Sequence, residues 1–209
     1  HKKIKNINAK DDITLTKKIG IKTKLIKGYK KNIKITYKED LEIFNLLRIN
    51  KRRYGIGYDI HKIDFNSKKK LTLCGVKFNH APLIGHSDAD VGYHAICDSI
   101  LGSLSMRDIG YFFKNNDNRW KNINSNIFLL FAKKKLKEKY FKIVNLDINF
   151  ICQTPQINKH IKKMKLNISK YLDISENIIS IKATTNEKIG LIGKGEGIAA
   201  ESIVAIENV

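Results

Sequence analysis

The sequence predicts a two-layer α/β domain, an α+β sandwich in which helices pack on one face of a mixed β-sheet. Two sets of observations carry that expectation. Residues 54–60, 71–78, 143–151, 178–183 and 198–206 read as strands bounded by turn residues, and residues 88–105, 124–140 and 157–171 carry apolar residues at helical spacing. In the first helix Val91, Ala95, Ile96, Ile100 and Leu104 form the apolar stripe, with Ser87 as the expected N-cap. The second helix has a Lys-rich outer face. In the strand at 143–151, Val144, Leu146, Ile148 and Phe150 are expected on one side. The last two strands are separated by the loop Gly-Leu-Ile-Gly-Lys-Gly-Glu-Gly at 190–197. No internal repeat is present.

A chain of 209 residues holds one ordinary domain with a sizeable core. No apolar run approaches a membrane span, so a soluble protein without a membrane partner is expected. Cys74, Cys97 and Cys152 are odd in number and lack Cys-x-x-Cys spacing, which points to a reducing compartment and away from a thiolate zinc site. The formal charge of +20 would ordinarily raise nucleic acid as a partner. Its distribution argues against that, because roughly 12 of the excess charges fall in residues 1–53. The remainder shows no Arg-rich helix and no basic strand with interleaved aromatics. No nucleic-acid partner is expected.

Residues 1–53 show no sustained period, apart from a short helix pattern over residues 37–47, and are read as a basic, disordered extension. Residues 54–209 are read as the functional domain. Basic, acid-poor extensions resemble transit peptides.

The chemistry concentrates in a few short stretches. Asp59 and His61 are spaced i and i+2, which puts both on one face of a strand. His94, on a distant helix, completes a three-ligand set of the kind that holds zinc and leaves one position open for substrate. Taken alone, Asp-x-His is a chance pair and His94 a core histidine; the flanking residues change that balance. His86, Asp90, His94 and Asp98 recur every four residues, as along one helical edge. Gly-His-Ser-Asp-Ala-Asp at 85–90 offers an imidazole, a hydroxyl and helix N-terminal N–H groups to a phosphoryl group. Ala-Thr-Thr-Asn-Glu at 183–187 follows a strand and brings two hydroxyls and a carboxylate to its tip, suited to a diphosphate and a divalent ion. Asp-Ile-Gly at 108–110 adds a carboxylate and an approachable backbone.

Together and in this order, Gly-Tyr-Asp-Ile-His, Gly-His-Ser-Asp-Ala-Asp-Val-Gly-Tyr-His-Ala, Arg-Asp-Ile-Gly, Lys-Ala-Thr-Thr-Asn-Glu-Lys-Ile-Gly and Gly-Lys-Gly-Glu-Gly-Ile-Ala resemble the 2-C-methyl-D-erythritol 2,4-cyclodiphosphate synthases. The resemblance runs from Tyr54 to the C-terminus and leaves residues 1–53 outside. It implies cyclisation of 4-diphosphocytidyl-2-C-methyl-D-erythritol 2-phosphate, with release of CMP, in non-mevalonate isoprenoid biosynthesis. The 2-phosphate oxygen attacks the β-phosphorus within one molecule, so the enzyme chiefly has to align the reacting groups and stabilise charge.

By the same resemblance Asp59, His61 and His94 hold Zn2+, His86 and Thr185 stabilise the transition state, and Ser87 donates to the same phosphate. Glu187 helps hold Mg2+ or Mn2+ bridging the substrate diphosphate. Substrate contacts are implied at Asp59, Ile60 and His61, at Asp108, Ile109 and Gly110 around the ribose, and at Phe113, Asn115 and Asp117 around the methylerythritol phosphate. Cys152, Pro155, Gln156, Ile157 and Asn158 match the cytosine loop. Thr184, Asn186, Leu191 and Lys194 complete the set. The family resemblance also implies a homotrimer with active sites between subunits and a cavity on its axis for an isoprenoid diphosphate.

This chain departs from the family at Asn115, where a carboxylate is usual, at Asn186 and Gln156, and at Lys194, which replaces an Arg and lacks its bidentate fork. Those departures keep open a catalytically silent, phosphate-binding homologue. A basic nucleic-acid-binding protein is the alternative from another class. No nucleotidyltransferase module is read, so a fused bifunctional enzyme is not expected. Pathway and extension together imply the stroma of an apicoplast-type plastid, with the cytoplasm as the alternative if the extension is not a targeting remnant.

Overall fold

The computed structural model describes residues 12–24, 26–28, 34–47, 52–114, 116–120 and 123–209. The chain divides into two units, residues 1–49 and 50–209. The first contains α1 (Asp12–Lys18) and α2 (Lys38–Leu47). Asp40 accepts from the backbone N–H groups of Thr36 (3.0 Å) and Tyr37 (2.9 Å), closing the start of α2. The short helix pattern read over residues 37–47 corresponds to α2, whose start the Asp40 carboxylate closes by satisfying backbone donors.

The second unit contains β1 (Arg52–Lys62), β2 (Thr72–Leu73), β3 (Val76–Lys77), α3 (Val91–Ser103), α4 (Ile109–Phe112) and α5 (Asn126–Glu138). It continues through β4 (Phe141–Ile151), α6 (Ile161–Leu172), β5 (Ile179–Thr184), α7 (Gly190–Gly193) and β6 (Gly197–Asn208). Four strands form one sheet in the order β1-β6-β4-β5. β6 runs antiparallel to both neighbours, and β4 pairs with β5 in parallel, so the sheet is mixed as expected. Helix α3 lies against β1 and β6, α5 against β4, and α6 against β5. The core sits between these layers, with Leu146, Ile148, Phe150, Val204 and Ile206 fully buried. On β1 the alternation has the opposite result for Tyr54, Ile56, Tyr58 and Ile60, which are 46–67% exposed.

Gly55 and Gly57 occupy the inward positions of β1 at the closest approach of α3. A Cβ built on Gly57 would stand 2.0 Å from the Ala95 carbonyl oxygen, and one on Gly55 2.0 Å from that of Ser99. The helix backbone therefore rests on the strand with no side chain between them. Two and four residues further along the same face come Asp59 and His61.

Three local expectations are corrected. Residues 71–78 form a hairpin rather than one strand, because Cys74 (φ 44°) and Gly75 (φ 70°) take left-handed conformations between paired Leu73 and Val76. Helix α3 starts later than predicted, with Asp90 as its N-cap instead of Ser87, since Ala89 (φ 54°) breaks helical geometry. Asp90 is fully buried and accepts from Tyr93 N (3.2 Å), Cys74 N (2.8 Å) and Gly75 N (2.8 Å), fastening the hairpin turn to the helix start. Finally, the β4/β6 register shifts between Ile143 and Asn145, so Ile143 rather than Val144 is buried.

Replacing Gly57 with Ala should cost about 3 kcal/mol in urea unfolding, at the upper end for forcing a methyl into a packed contact. Gly102→Ala is the control: its Cβ would sit 3.6 Å from the Ile56 carbonyl oxygen, an ordinary contact, and helix propensity favours Ala there by about 1 kcal/mol.

Candidate metal centre and the cleft around it

At the end of β1 beyond the glycines, Asp59 and His61 face the first turn of α3, which presents His94. Asp59 Oδ2 lies 3.0 Å from His61 Nε2 and 2.8 Å from His94 Nδ1. Among the described residues these three form the one group of His, Cys, Asp or Glu whose ligand atoms all fall within 4.8 Å of one another. The remaining ring nitrogens are committed elsewhere. His61 Nδ1 is 2.7 Å from the Ile84 carbonyl, to which it donates, and His94 Nε2 is 2.9 Å from Ser125 Oγ and 3.2 Å from Ser87 Oγ. Ring orientation is thus fixed from behind, as metal-binding imidazoles require.

Electrostatics follow the geometry. Burial would raise the Asp59 carboxyl, yet hydrogen bonds from His61 and His94 and their charge hold it well below the usual carboxylate range. Burial pulls His61 downward, but the Asp59 hydrogen bond and charge, aided by the Ile84 carbonyl, outweigh it and raise the imidazole above its ordinary 6.5.

The cleft over this cluster is lined by Asp59, His61, His86, Ser87, His94, Ile109, Gly110, Phe113, Trp120 and Phe128. His86 Nε2 approaches the Asp117 carbonyl oxygen at 3.3 Å. Asp108 caps α4 by accepting from Tyr111 N at 2.9 Å. Asp98, one turn beyond His94, accepts from Ile109 N at 2.7 Å and so fixes the position of Ile109 and Gly110. Burial and the neighbouring charge of Asp108 push the Asp98 carboxyl up to about 6, against that hydrogen bond. Phe113 is nearly buried among Trp120, Phe128 and Phe131, forming an aromatic wall.

Several sequence-predicted residues lie differently from expectation. Of the four-residue series, only His94 and Asp98 share the helix; Asp90 turns inward and His86 precedes the helix in a loop. The α3 N-terminus already has the Asp90 carboxylate as its cap, which leaves the His86 and Ser87 side chains, rather than free helix N–H groups, facing the cleft. Ile60 alternates away from Asp59 and His61 and is 46% exposed. Asp117 keeps its carboxylate, but Arg119 grips it through Nε (3.0 Å) and Nη2 (2.6 Å), which with the Arg119 N–H holds the carboxyl down to about 2. Asn115 lies outside the described residues.

The other predicted residues gather in a second place. Cys152, Pro155, Gln156, Ile157, Asn158, Thr184 and Thr185 line a separate cleft. Cys152 N donates to Thr184 O at 3.1 Å, joining the two segments. Thr185 Oγ1 donates to Glu187 Oε1 at 2.6 Å, and Asn186 Nδ2 to Ile189 O at 2.7 Å. Lys194 lines a third depression with Lys188, and Leu191 nearby is exposed. Thr185 and Glu187 are therefore not among the residues lining the metal-cluster cleft of the same chain. Sequence reasoning missed Ser125, Phe128, Trp120 and Arg119; Ser125 carries no motif and reads only as a helix cap.

Fold and site define a metal-binding α/β domain whose cleft combines histidines with a serine hydroxyl. Residues 52–207 match the YgbB family, and the chain belongs to that family. A 2-C-methyl-D-erythritol 2,4-cyclodiphosphate synthase of Ehrlichia chaffeensis is 47% identical over 157 residues, covering 73% of this chain and 91% of that one. A bifunctional enzyme IspD/IspF of Wolbachia pipientis is 43% identical over 99% of this chain, which spans about half, 53%, of its length. Among solved structures, IspF of Plasmodium falciparum in complex with CDP superposes with a TM-score of 0.68 at 42% identity, covering 76% of this chain and 97% of that one. The bifunctional IspDF of Campylobacter jejuni gives 0.73 at 35% identity, over 98% of this chain and 55% of that one.

These similarities overturn the plastid and transit-peptide expectation. The bifunctional relatives are bacterial, and one aligns over nearly the whole chain. Residues 1–53 thus lie within the similarity, and the reading that set this chain apart from fused enzymes is revised with it. Their Lys-rich composition, which prompted the targeting interpretation, carries no address by itself.

Two outcomes test the centre. Exchange of His94 for Ala should abolish metal retention after gel filtration, measured by elemental analysis, while the fold persists by circular dichroism. In metal-free protein the Asp59 contribution to stability is present above pH 3.8 and lost as pH falls below it, whereas that of His61 is complete below pH 6.5 and declines as pH rises through its raised value. The Tm difference between wild type and Asp59→Asn should therefore be largest between those two pH values; a flat difference would contradict the coupling.

Proposed function

We propose that this chain closes the ring of 2-C-methyl-D-erythritol 2,4-cyclodiphosphate from its cytidine-diphosphate-linked 2-phosphate precursor, releasing CMP. The observation that carries this reading is the convergence of Asp59, His61 and His94 with His86 and Ser87 in one cleft, within a chain of the matching family. The reaction is a lyase step of isoprenoid biosynthesis. It needs no protein nucleophile, because the attacking oxygen belongs to the substrate's own phosphate.

The donor set fits Zn2+: one carboxylate and two imidazoles with the metal-facing nitrogens already selected, and an open side toward the cleft. A bound Zn2+ supplies Lewis-acid polarisation of a phosphoryl oxygen. The chain's own residues do the rest. His86 donates toward a non-bridging oxygen as charge builds on the attacked phosphorus, and Ser87 offers its hydroxyl to the same group. Ile109 and Gly110, held by Asp98, shape the ribose side. The wall made by Phe113, Trp120 and Phe128 excludes water, which would otherwise compete with the internal phosphate as nucleophile.

The second cleft takes the cytidine end. Cys152, Pro155, Gln156, Ile157 and Asn158 surround the base, Thr184 and Thr185 reach the phosphates, and Glu187 with Mg2+ or Mn2+ offsets the charge of the departing CMP. This requires the second cleft of one subunit to meet the metal cluster of its neighbour. A homotrimer provides that meeting, and the exposed face carrying Tyr54, Ile56, Tyr58, Ile60 and Ile203 is the surface it buries. Lys188 and Lys194 offer point charges to an isoprenoid diphosphate on the trimer axis. The domain boundary near residue 54 accords with the family segment, and residues 1–53 are assigned to the part that the bifunctional relatives share.

CMP release from the cytidyl substrate with magnesium, comparing metal-replete and chelator-treated protein, tests the reading. Zinc-dependent release together with a trimeric mass in solution is expected. A folded, zinc-bound trimer that releases no CMP would instead identify a silent homologue, with the Asp117–Arg119 pair as the first place to look.

A further inference from the structure

We infer that Ser125 and Asp88 act as a positioning pair for His94, fixing which ring nitrogen faces the metal cluster and holding the ring against rotation. The inference rests on the metal reading above but concerns two residues that it does not use.

Ser125 stands at the N-cap position of α5, where a serine hydroxyl normally accepts from the helix's first N–H groups. Here it makes no such bond, and Asn124 Oδ1 accepts from Asn126 N at 3.0 Å instead. The Ser125 hydroxyl is fully buried and turned toward α3, 2.9 Å from His94 Nε2. On its other side it donates to Asp88 Oδ1, which also accepts from Ser125 N at 3.2 Å. Asp88 N donates to Ile123 O at 3.1 Å, so the segment leading into α5 is clamped to the loop before α3 from both directions.

Proton counting gives the direction of the chain. Asp88 Oδ1 accepts from both Ser125 N and the Ser125 hydroxyl, so the single hydroxyl proton of Ser125 is committed to Asp88. The serine oxygen then has only lone pairs to offer, and His94 Nε2 must carry the hydrogen that bridges them. That assignment leaves Nδ1 as the coordinating nitrogen, the atom that points at Asp59 Oδ2. Phe128 packs against the His94 ring, with centroids 5.4 Å apart. The arrangement is an imidazole oriented by a carboxylate through one intervening hydroxyl. Ser87 Oγ accepts from Ala89 N at 3.2 Å and lies 3.2 Å from both His94 Nε2 and Ser125 Oγ, so with the Ser125 proton committed to Asp88 its own proton is the one that can bridge the two hydroxyls.

The test combines zinc affinity, by chelator competition, with 15N spectra of the histidine rings in the full chain. In wild type, His94 Nε2 should be protonated, with its hydrogen protected from exchange. Ser125→Ala should weaken zinc binding by roughly 10- to 100-fold and expose that hydrogen to rapid exchange, while Ser125→Thr, which keeps the hydroxyl, restores both. If the alanine variant does not fold, Asp88→Asn provides the comparison, with a smaller loss because the amide oxygen still accepts from the hydroxyl. Wild-type zinc affinity and an unchanged ring spectrum in Ser125→Ala, or a wild-type His94 with Nε2 unprotonated, would overturn the inference. Should the wild-type protein take up no zinc at all, the metal reading fails, and the ring spectrum of metal-free protein still decides the pairing.

Discussion

The direct seating of α3 on β1 is the contact on which the rest of the site depends. Gly55 and Gly57 remove the side chains that would hold the two backbones apart, and the carbonyl oxygens of Ser99 and Ala95 occupy the space so released. Strand alternation then delivers Asp59 and His61 to the same face, two and four residues beyond Gly57. Helical geometry delivers His94, one residue before Ala95, to meet them. The metal cluster is thus the continuation of a packing contact. Asp90 fixes the helix start relative to the β2–β3 turn, and Asp98 carries the same helix's position to α4. One helix therefore sets the cluster, the hairpin and the Ile109–Gly110 side of the cleft together.

The division of residues between two clefts has a chemical logic. Cyclisation brings a phosphate and a diphosphate together, and their negative charge must be offset from more than one side. In the proposed cyclisation the metal cluster with His86 and Ser87 would approach from one cleft, and the threonine hydroxyls and Glu187 from the other. On the proposed reading, a subunit that carries both halves in separate clefts would work in an assembly that brings unlike halves together. The uncovered apolar face of the sheet is consistent with such an assembly, since monomers seldom leave a contiguous set of Tyr and Ile side chains in water.

Much of this was legible in the sequence, for identifiable reasons. Period-two alternation and glycine punctuation located β1, and helical spacing located α3, α5 and α6, because those signals are local. The residues of the metal cluster were readable as well, since i, i+2 spacing on a strand has one geometric meaning. The hairpin at residues 72–77 was not, because left-handed Cys74 gives no sign of itself beside the more permissive Gly75. The inward turn of Ile143 depends on a bulge that only pairing with β6 creates. Asp90 and Ser125 were invisible for the same physical reason: each looks like a polar residue on a surface helix, and each bonds to a segment more than 14 residues away. The family read from the motif survived, whereas the compartment read from composition did not. Motifs constrain geometry, and a Lys-rich extension constrains very little.

The central claim is that packing of α3 on β1 preorganises the centre before any ion arrives. Crystal structures of metal-free and zinc-loaded protein, the latter with anomalous data at the zinc edge, test it most directly. One strong peak bound by Asp59, His61 Nε2 and His94 Nδ1, at roughly 2.0–2.2 Å, is expected. The backbones of β1 and α3 should superpose within about 0.5 Å between the two states. A peak ligated through His94 Nε2, or a helix that shifts to reach the ion, would contradict it.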